Sequence, residues 1–202
     1  MSVILQPLDL VCVAGSGRIS NAIRWATRLP GEAPSEVSHV CFVTRGGTIH
    51  TAEVQEALIE YRRIVRRPLG AYAGTGDQVA VWRPLGLTDA DRAAMLQRAE
   101  ETNGCRYSFS NIGLHLIDGL AGKLLRRRVR FATRFASRDS QECSANVADV
   151  WSAAGLTFGV ETGAATPDEV SDFVTHRPDK YALIRSLNPI PALPGVYMES
   201  AA

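Results

Sequence analysis

Short alternating segments are the first feature of the hydrophobic pattern. Residues 37–43 alternate between apolar and polar side chains, as a half-buried strand does. Arg45-Gly46-Gly47 has the composition of a turn, and residues 48–52 can return as the antiparallel partner of that strand. Further short strands are predicted over residues 8–14, 79–83 and 181–184.

Longer segments have helical periodicity. Apolar residues recur at helical spacing over residues 143–154, with Ser140 as a suitable N-cap and Gly155 at the end. Thr88 and Thr166 are the predicted caps of two further helices. The mixture of strands and helices predicts a protein of the α+β class.

Cys143 is the candidate nucleophile because it lies on the first turn of its predicted helix. Unpaired backbone N–H groups and the helix dipole favour a thiolate at such a position. A cysteine on an apolar helix face is more often a small buried hydrophobic residue than a nucleophile. For Cys143 this alternative stays open. Cys41 ranks below Cys143 as a nucleophile because a mid-strand thiol has no helix N-terminus beside it. Cys12 and Cys105 are interpreted as structural.

His39 and His50 are the candidate partners of this thiol. If Val43 pairs with Thr48 in the predicted hairpin, the two histidines become diagonal neighbours, about 7–8 Å apart between Cα atoms. An imidazole-to-imidazole hydrogen bond is then within reach, whereas the neighbouring register separates them too far. The residues therefore predict that His39 takes the proton of Cys143 while His50 orients His39.

The order of these motifs resembles a known family. Residues 9–13, 17–27, 38–40 and 142–144, taken in sequence, are similar to the permuted branch of the NlpC-type papain-fold hydrolases, with YiiX-like proteins as the nearest members. The resemblance covers residues 8–185. It implies a circularly permuted papain-like α+β fold, in which an antiparallel sheet or small barrel packs against helices that include the nucleophile helix.

The resemblance also implies roles for particular residues. Cys143 would be the nucleophile, His39 the base and His50 the third member of the site. Because YiiX-like sequences often carry a glutamate on the second strand, Glu53 is an alternative third member. An aromatic residue often lies near the cleft in this family, so Tyr107 can contact substrate or can be structural.

Two further residues are weaker site candidates. Asp9 lies near the end of the predicted first strand and can brace the site or can have a capping or turn role. Trp25 can line a cleft or can pack in the interior. Both are retained as possible substrate-binding residues.

The predicted chemistry is acyl transfer by a cysteine hydrolase that needs no metal and no cofactor. The four cysteines lack the paired spacing of a zinc site. By the resemblance, the substrate is an amide bond of peptidoglycan-type peptides or, alternatively, an ester bond of lipids, as for a phospholipase or acyltransferase. A third alternative is a non-enzymatic phage or secretion component with a vestigial site.

Composition narrows the possible partners. The chain has 202 residues, of which 46% are hydrophobic, so one catalytic domain over residues 1–185 is expected, followed by a proline-containing tail over residues 186–202.

A net charge of +1 gives no argument for nucleic-acid binding. Seven basic residues lie between positions 123 and 138. They form a solvated face or, with the apolar stripe before Arg126-Arg127-Arg128, an anionic membrane or cell-wall contact.

The N-terminal residues and the glycine-containing segment bear on compartment and on nucleotide binding. Residues 1–8 do not resemble a signal peptide, which predicts a cytoplasmic protein. If it acts on the envelope, phage lysis or a secretion system would have to deliver it. Gly15-Ser16-Gly17 lacks the Gly-Lys-Ser/Thr ending of a phosphate loop, so nucleotide binding is excluded.

Overall fold

The structure, a computed structural model, is an α+β arrangement of one antiparallel sheet and three described α-helices. It describes residues 3–17, 20, 21, 23, 24, 36–58, 60–106, 121, 124 and 143–187.

Six strands form the sheet, in the spatial order β4-β3-β2-β1-β5-β6. Every neighbouring pair is antiparallel. The strands are β1 (Leu10–Ala14), β2 (His39–Arg45), β3 (Glu53–Leu58), β4 (Arg63–Pro68), β5 (Gln78–Pro84) and β6 (Tyr181–Leu187).

Two of the three described helices begin where the sequence predicts them, and for the third the predicted cap, Ser140, lies outside the described residues. The helices are α1 (Asp89–Thr102), α2 (Cys143–Ser152) and α3 (Pro167–Thr175). Thr88 and Thr166 each form a capping box, with Asp91 and Glu169 respectively, which confirms both predicted caps. Gly155 follows α2 with φ +69°, the left-handed conformation that ends a helix most readily at glycine.

The alternation of β1 places apolar side chains in two cores. Leu10 and Cys12 face the first core, between the sheet and the three helices, where Trp151 of α2 is the largest fully buried side chain. Val11 and Val13 face the second core on the opposite side of the sheet, with Cys41, Val43, Val81 and Tyr72. Because a core covers each face of the sheet at β1, every side chain of this strand is buried, and its sequence is continuously apolar.

The predicted hairpin pairing of Val43 with Thr48 is wrong. Val43 pairs with Val54, and residues 49–51 form a turn. Two interactions keep Thr48 from pairing with β2. The backbone N–H of Thr48 donates to Oγ1 of Thr51 at 2.9 Å, and the preceding residue, Gly47, pairs with Leu5 of the N-terminal segment. The return strand therefore begins at Glu53.

The end of the chain also differs from the prediction. β6 continues through Ser186 to Leu187, because this strand pairs with β5 as far as Val79 opposite Leu187. The predicted tail boundary at residue 186 is therefore too early, and residues 188–202 lie outside the described part.

Two other predictions fall wholly or partly outside it. Arg126-Arg127-Arg128 is not described, and of residues 107–125, which contain the apolar stripe, only Ala121 and Leu124 are, both with helical backbone. Among the described helices, none combines the length and apolar character needed to cross a bilayer.

Candidate active site

Cys143 is the first described residue of α2, and residues 140–142, where the sequence predicts the helix to begin, lie outside the described part. Its side chain packs against Ala57 of β3 and Ile64 of β4, with Cys105 at the edge of the same cluster, and the residue is 7% exposed. Ser144, beside it, donates from Oγ to the carbonyl oxygen of Ala165 at 2.6 Å. The first described turn of α2 is thus held against both the sheet and the segment before α3.

His39 begins β2, opposite Val13 of β1, and its side chain is 16% exposed. Its Nε2 atom lies 2.8 Å from Oε2 of Glu56. An ionised carboxylate only accepts hydrogen bonds, so Nε2 is the donor. The other ring nitrogen, Nδ1, is then the one that can exchange a proton with a thiol.

The electrostatics of His39 bring Cys143 into the same site. Burial alone lowers the pKa of His39, but Tyr72 and the Cys143 thiol act in the opposite direction. Interactions with the thiols of Cys143 and Cys41 also favour the imidazolium, and the net effect is a raised pKa of His39. The structure therefore brings together the two residues that the sequence selected as nucleophile and base.

Glu56 is the third group of this cluster, and the sequence reasoning did not include it. Its carboxylate is fully buried. It accepts hydrogen bonds from His39, from Nε of Arg67 and from the hydroxyl of Tyr72. Burial raises the pKa of Glu56, but hydrogen bonds and charge from His39, with hydrogen bonds from Arg67 and Tyr72, outweigh it and lower the pKa to about 2. Glu56 is therefore a buried carboxylate at neutral pH.

Arg67 and Tyr72 also hold that carboxylate: Tyr72 donates to Oε2, the oxygen that His39 contacts, and Arg67 donates to Oε1. The guanidinium of Arg67 lies 4.7 Å from the centre of the Tyr72 ring, a cation–π arrangement that orients both groups. Burial raises the pKa of Tyr72, which keeps its hydroxyl protonated as a donor. We call Glu56, Arg67 and Tyr72 the carboxylate cluster.

The strand register explains why Glu56 reaches His39. Continuing the Phe42–Gln55 pairing by one step places Cys41 opposite Glu56. Glu56 thus lies near the His39 end of β2, and its Oε2 atom is 2.8 Å from Nε2 of His39, the role that the predicted register had given to His50. The available sequence signal was a polar pair, Gln55-Glu56, within an apolar strand.

The structure does not bring His50 or Glu53 to His39. His50 is exposed in the turn after β2, at the opposite end of that strand from His39. Glu53 forms an ion pair with Arg45 at 3.3 Å, at that same far end. The prediction that one of these residues orients His39 is therefore wrong in geometry, because the true register is shifted.

Asp9 is also remote from the site. Leu10, the next residue, pairs with Phe42, whereas His39 pairs with Val13 farther along β1. The Asp9 carboxylate accepts two hydrogen bonds from Arg83, at 2.8 and 2.7 Å, and thus ties the N-terminal segment to β5. Asp9 therefore has a structural role. The other two candidates, Trp25 and Tyr107, lie outside the described residues.

Cys41 is a poor alternative nucleophile in this setting. Its side chain is fully buried, and burial together with the charge of Glu56 raises its pKa to about 11, against the opposing influence of His39 and Arg67. A thiol that resists ionisation at neutral pH reacts slowly with electrophiles. Of the two candidates, Cys143 fits the nucleophile better.

The donor atoms of His39, Cys41 and Glu56 lie within 4.8 Å of one another, close enough to hold a metal ion. However, Glu56 already accepts hydrogen bonds from Arg67 and Tyr72, and Cys41 would have to lose a proton whose pKa is raised. A cation next to the Arg67 guanidinium is also repelled. The cluster is therefore better suited to proton transfer than to metal binding.

Comparisons with known proteins add no family assignment: no protein-family model matches the chain, and no curated protein matches it.

Proposed function

We propose that this protein is a cysteine hydrolase in which Cys143 is the nucleophile, His39 the general base and acid, and Glu56 the residue that orients His39. The observation that carries the proposal is the hydrogen bond of Glu56 to Nε2 of His39, on a ring that also interacts with the Cys143 thiol. A nucleophile, a base and a group that orients the base are the parts that covalent acyl transfer requires.

The proton path follows from the ring geometry. Because Glu56 holds the proton on Nε2, Nδ1 is the ring nitrogen that takes the proton of Cys143, and the raised pKa of His39 favours the imidazolium that results. The resulting thiolate attacks the substrate carbonyl carbon, and the backbone N–H of Cys143 stabilises the oxyanion that forms. The imidazolium then returns its proton to the leaving group. Water, deprotonated by the same ring, releases the acyl group and regenerates the thiol.

The burial of the carboxylate cluster supports a functional role for it. A buried ion pair is often no more stabilising than apolar residues of similar volume, so stability alone gives little reason for Glu56 and Arg67 in this place. A fully desolvated carboxylate does, however, stabilise an adjacent imidazolium strongly. Strongly shifted titratable groups beside a thiol are typical of active sites.

We further propose that the substrate is an amide bond of peptidoglycan-type peptides, on the basis of the resemblance to permuted NlpC-type hydrolases. The lipid-ester alternative depended on the apolar stripe before Arg126, which lies outside the described residues. None of the described contacts favours a lipid substrate over a peptide.

Purified sacculi and phospholipid vesicles separate these substrate classes. We expect the wild-type protein to release soluble peptides from sacculi and to leave vesicles of mixed anionic and zwitterionic lipids unchanged, as measured by mass spectrometry of both reactions. Cys143→Ala protein is the matched control for each. Release of fatty acid or lysolipid by the wild type alone would instead assign the protein to the lipid hydrolases.

A further inference from the structure

Ser38, the residue before the proposed base, is buried and makes three hydrogen bonds at the end of β1. It is 1% exposed. Its backbone N–H donates to the carbonyl oxygen of Val13 at 2.9 Å. Its Oγ atom accepts from the backbone N–H of Gly15 at 3.0 Å and donates to the same Val13 carbonyl at 3.4 Å. Ser38 therefore joins β2 both to β1 and to the chain that leaves β1.

These bonds lie where the pairing of β1 with β2 stops. The last pair is Val13 with His39, and His39 is the first residue of β2. The end of a strand opens more readily than its middle, because fewer hydrogen bonds hold it. Gly15 lies beyond Ala14, the last residue of β1, so the Ser38 hydroxyl adds a bond outside the ladder. It thereby holds the backbone from which the His39 side chain projects.

The chain at Gly15 is fitted closely to this hydroxyl. Gly15 is buried, and a Cβ atom at its position would overlap Oγ of Ser20 and lie 3.2 Å from Oγ of Ser38. With Ser20 in this place, only glycine can bring its N–H to the Ser38 hydroxyl. Without that hydroxyl, the Gly15 N–H would lose this partner while it is buried, which is costly.

The position of His39 is demanding because its ring meets groups on two other elements. Nε2 donates to Glu56 of β3 at 2.8 Å, and the ring also interacts with the Cys143 thiol of α2. A displacement of about 1 Å can lower the rate of a catalysed step about 10²-fold. We propose that Ser38 is a positioning residue, whose hydroxyl fixes the start of β2 so that the His39 ring reaches both groups. The inference rests on the proposed function, which makes His39 the base.

Ser38→Ala tests this role, and Ser171→Ala is the matched control. Ser171 lies on α3 and is 3% exposed, so both substitutions remove one buried hydroxyl. In Ser38→Ala we expect kcat for sacculus peptides to fall roughly 10- to 100-fold, with KM changed by less than about twofold, since only the base is displaced. Ser171→Ala should keep the wild-type kcat even if its melting temperature falls. Gly15→Ala breaks the same hydrogen bond from its other end and should resemble Ser38→Ala.

The titration of the His39 ring tests the inference without any catalytic assay. NMR follows the imidazole protons, and the spectrum of His39→Ala protein identifies those of His39. Its neighbours raise the pKa of His39 in the wild type, so displacement of the ring should lower this pKa in both Ser38→Ala and Gly15→Ala. The Ser171→Ala control should titrate like the wild type. A wild-type His39 pKa in the two variants would overturn the inference. A wild-type protein without hydrolase activity would instead reject the proposed function, and the titration would still decide whether Ser38 positions the ring.

Discussion

Cys143→Ala should abolish hydrolysis, with a loss of at least about 10⁴-fold in kcat, since removing a nucleophile leaves only the weak catalysis of the remaining site. The substitution removes one sulfur atom from a residue that packs against Ala57 and Ile64, so we expect the fold to be kept. The measurement is turnover of peptides from sacculi, with the melting temperature recorded in parallel.

Two other cysteines serve as controls for that result. Cys105→Ala changes a neighbour of the same cluster and should leave kcat within about threefold, because Cys105 lies only at its edge. Cys41→Ser tests the alternative nucleophile. If activity survived in Cys143→Ala and vanished in Cys41→Ser, the assignment of the nucleophile would have to be reversed.

Glu56→Gln should have the second-largest effect, a fall in kcat of roughly 10²- to 10⁴-fold with a smaller change in KM. The amide keeps the shape of the side chain but removes the charge that stabilises the His39 imidazolium. It can also present an N–H group to Nε2, which favours the wrong tautomer. Because the Arg67 charge then loses its partner, we expect a loss of stability as well, and the assay is therefore made well below the melting temperature.

The pH dependence of kcat distinguishes a role of Glu56 in stabilising the His39 imidazolium from a loss of protein stability alone. In the wild type the pKa of His39 is raised, so the imidazolium that protonates the leaving group persists to higher pH. Without the Glu56 carboxylate, the imidazolium should lose its proton at lower pH, and the alkaline limb of kcat should shift in that direction. An unshifted limb would mean that Glu56 acts only in the fold.

Glu53→Gln is the matched control for this substitution. It makes the same chemical change on the same strand, at the residue that the sequence offered as an alternative third member. Glu53 pairs with Arg45 away from His39, so kcat and its alkaline limb should stay at wild-type values. A large effect of Glu53→Gln with no effect of Glu56→Gln would instead support Glu53 as the third member of the site. The β2–β3 register seen in the structure would then not be that of the active protein.

Local signals were sufficient to find two of the three proposed site residues. The helical spacing after Cys143 points to Cys143, and the alternation of residues 37–43 points to His39. Both capping boxes were read from residues three positions apart. In each case the physical cause lies within one turn or one strand, so a single sequence contains it.

The third residue could not be found in this way because its position depends on distant contacts. The β2–β3 register is set partly by Gly47, which pairs with Leu5 more than forty positions earlier in the chain. Glu53-Val54-Gln55-Glu56 also carries polar residues on both faces of its strand, so periodicity could not select one of them. Arg67 and Tyr72, which hold Glu56, lie on β4 and the turn after it, and only the folded sheet brings them there.

The rate at which iodoacetamide alkylates Cys143 at pH 6 tests the pairing of Cys143 with His39 most directly. Wild-type, His39→Ala and His50→Ala proteins are compared, with the labelled cysteine identified by mass spectrometry. The account predicts that His39→Ala slows alkylation at least about tenfold, because the thiolate loses its imidazolium partner, whereas His50→Ala reacts like the wild type. Equal rates in wild-type and His39→Ala proteins would contradict it.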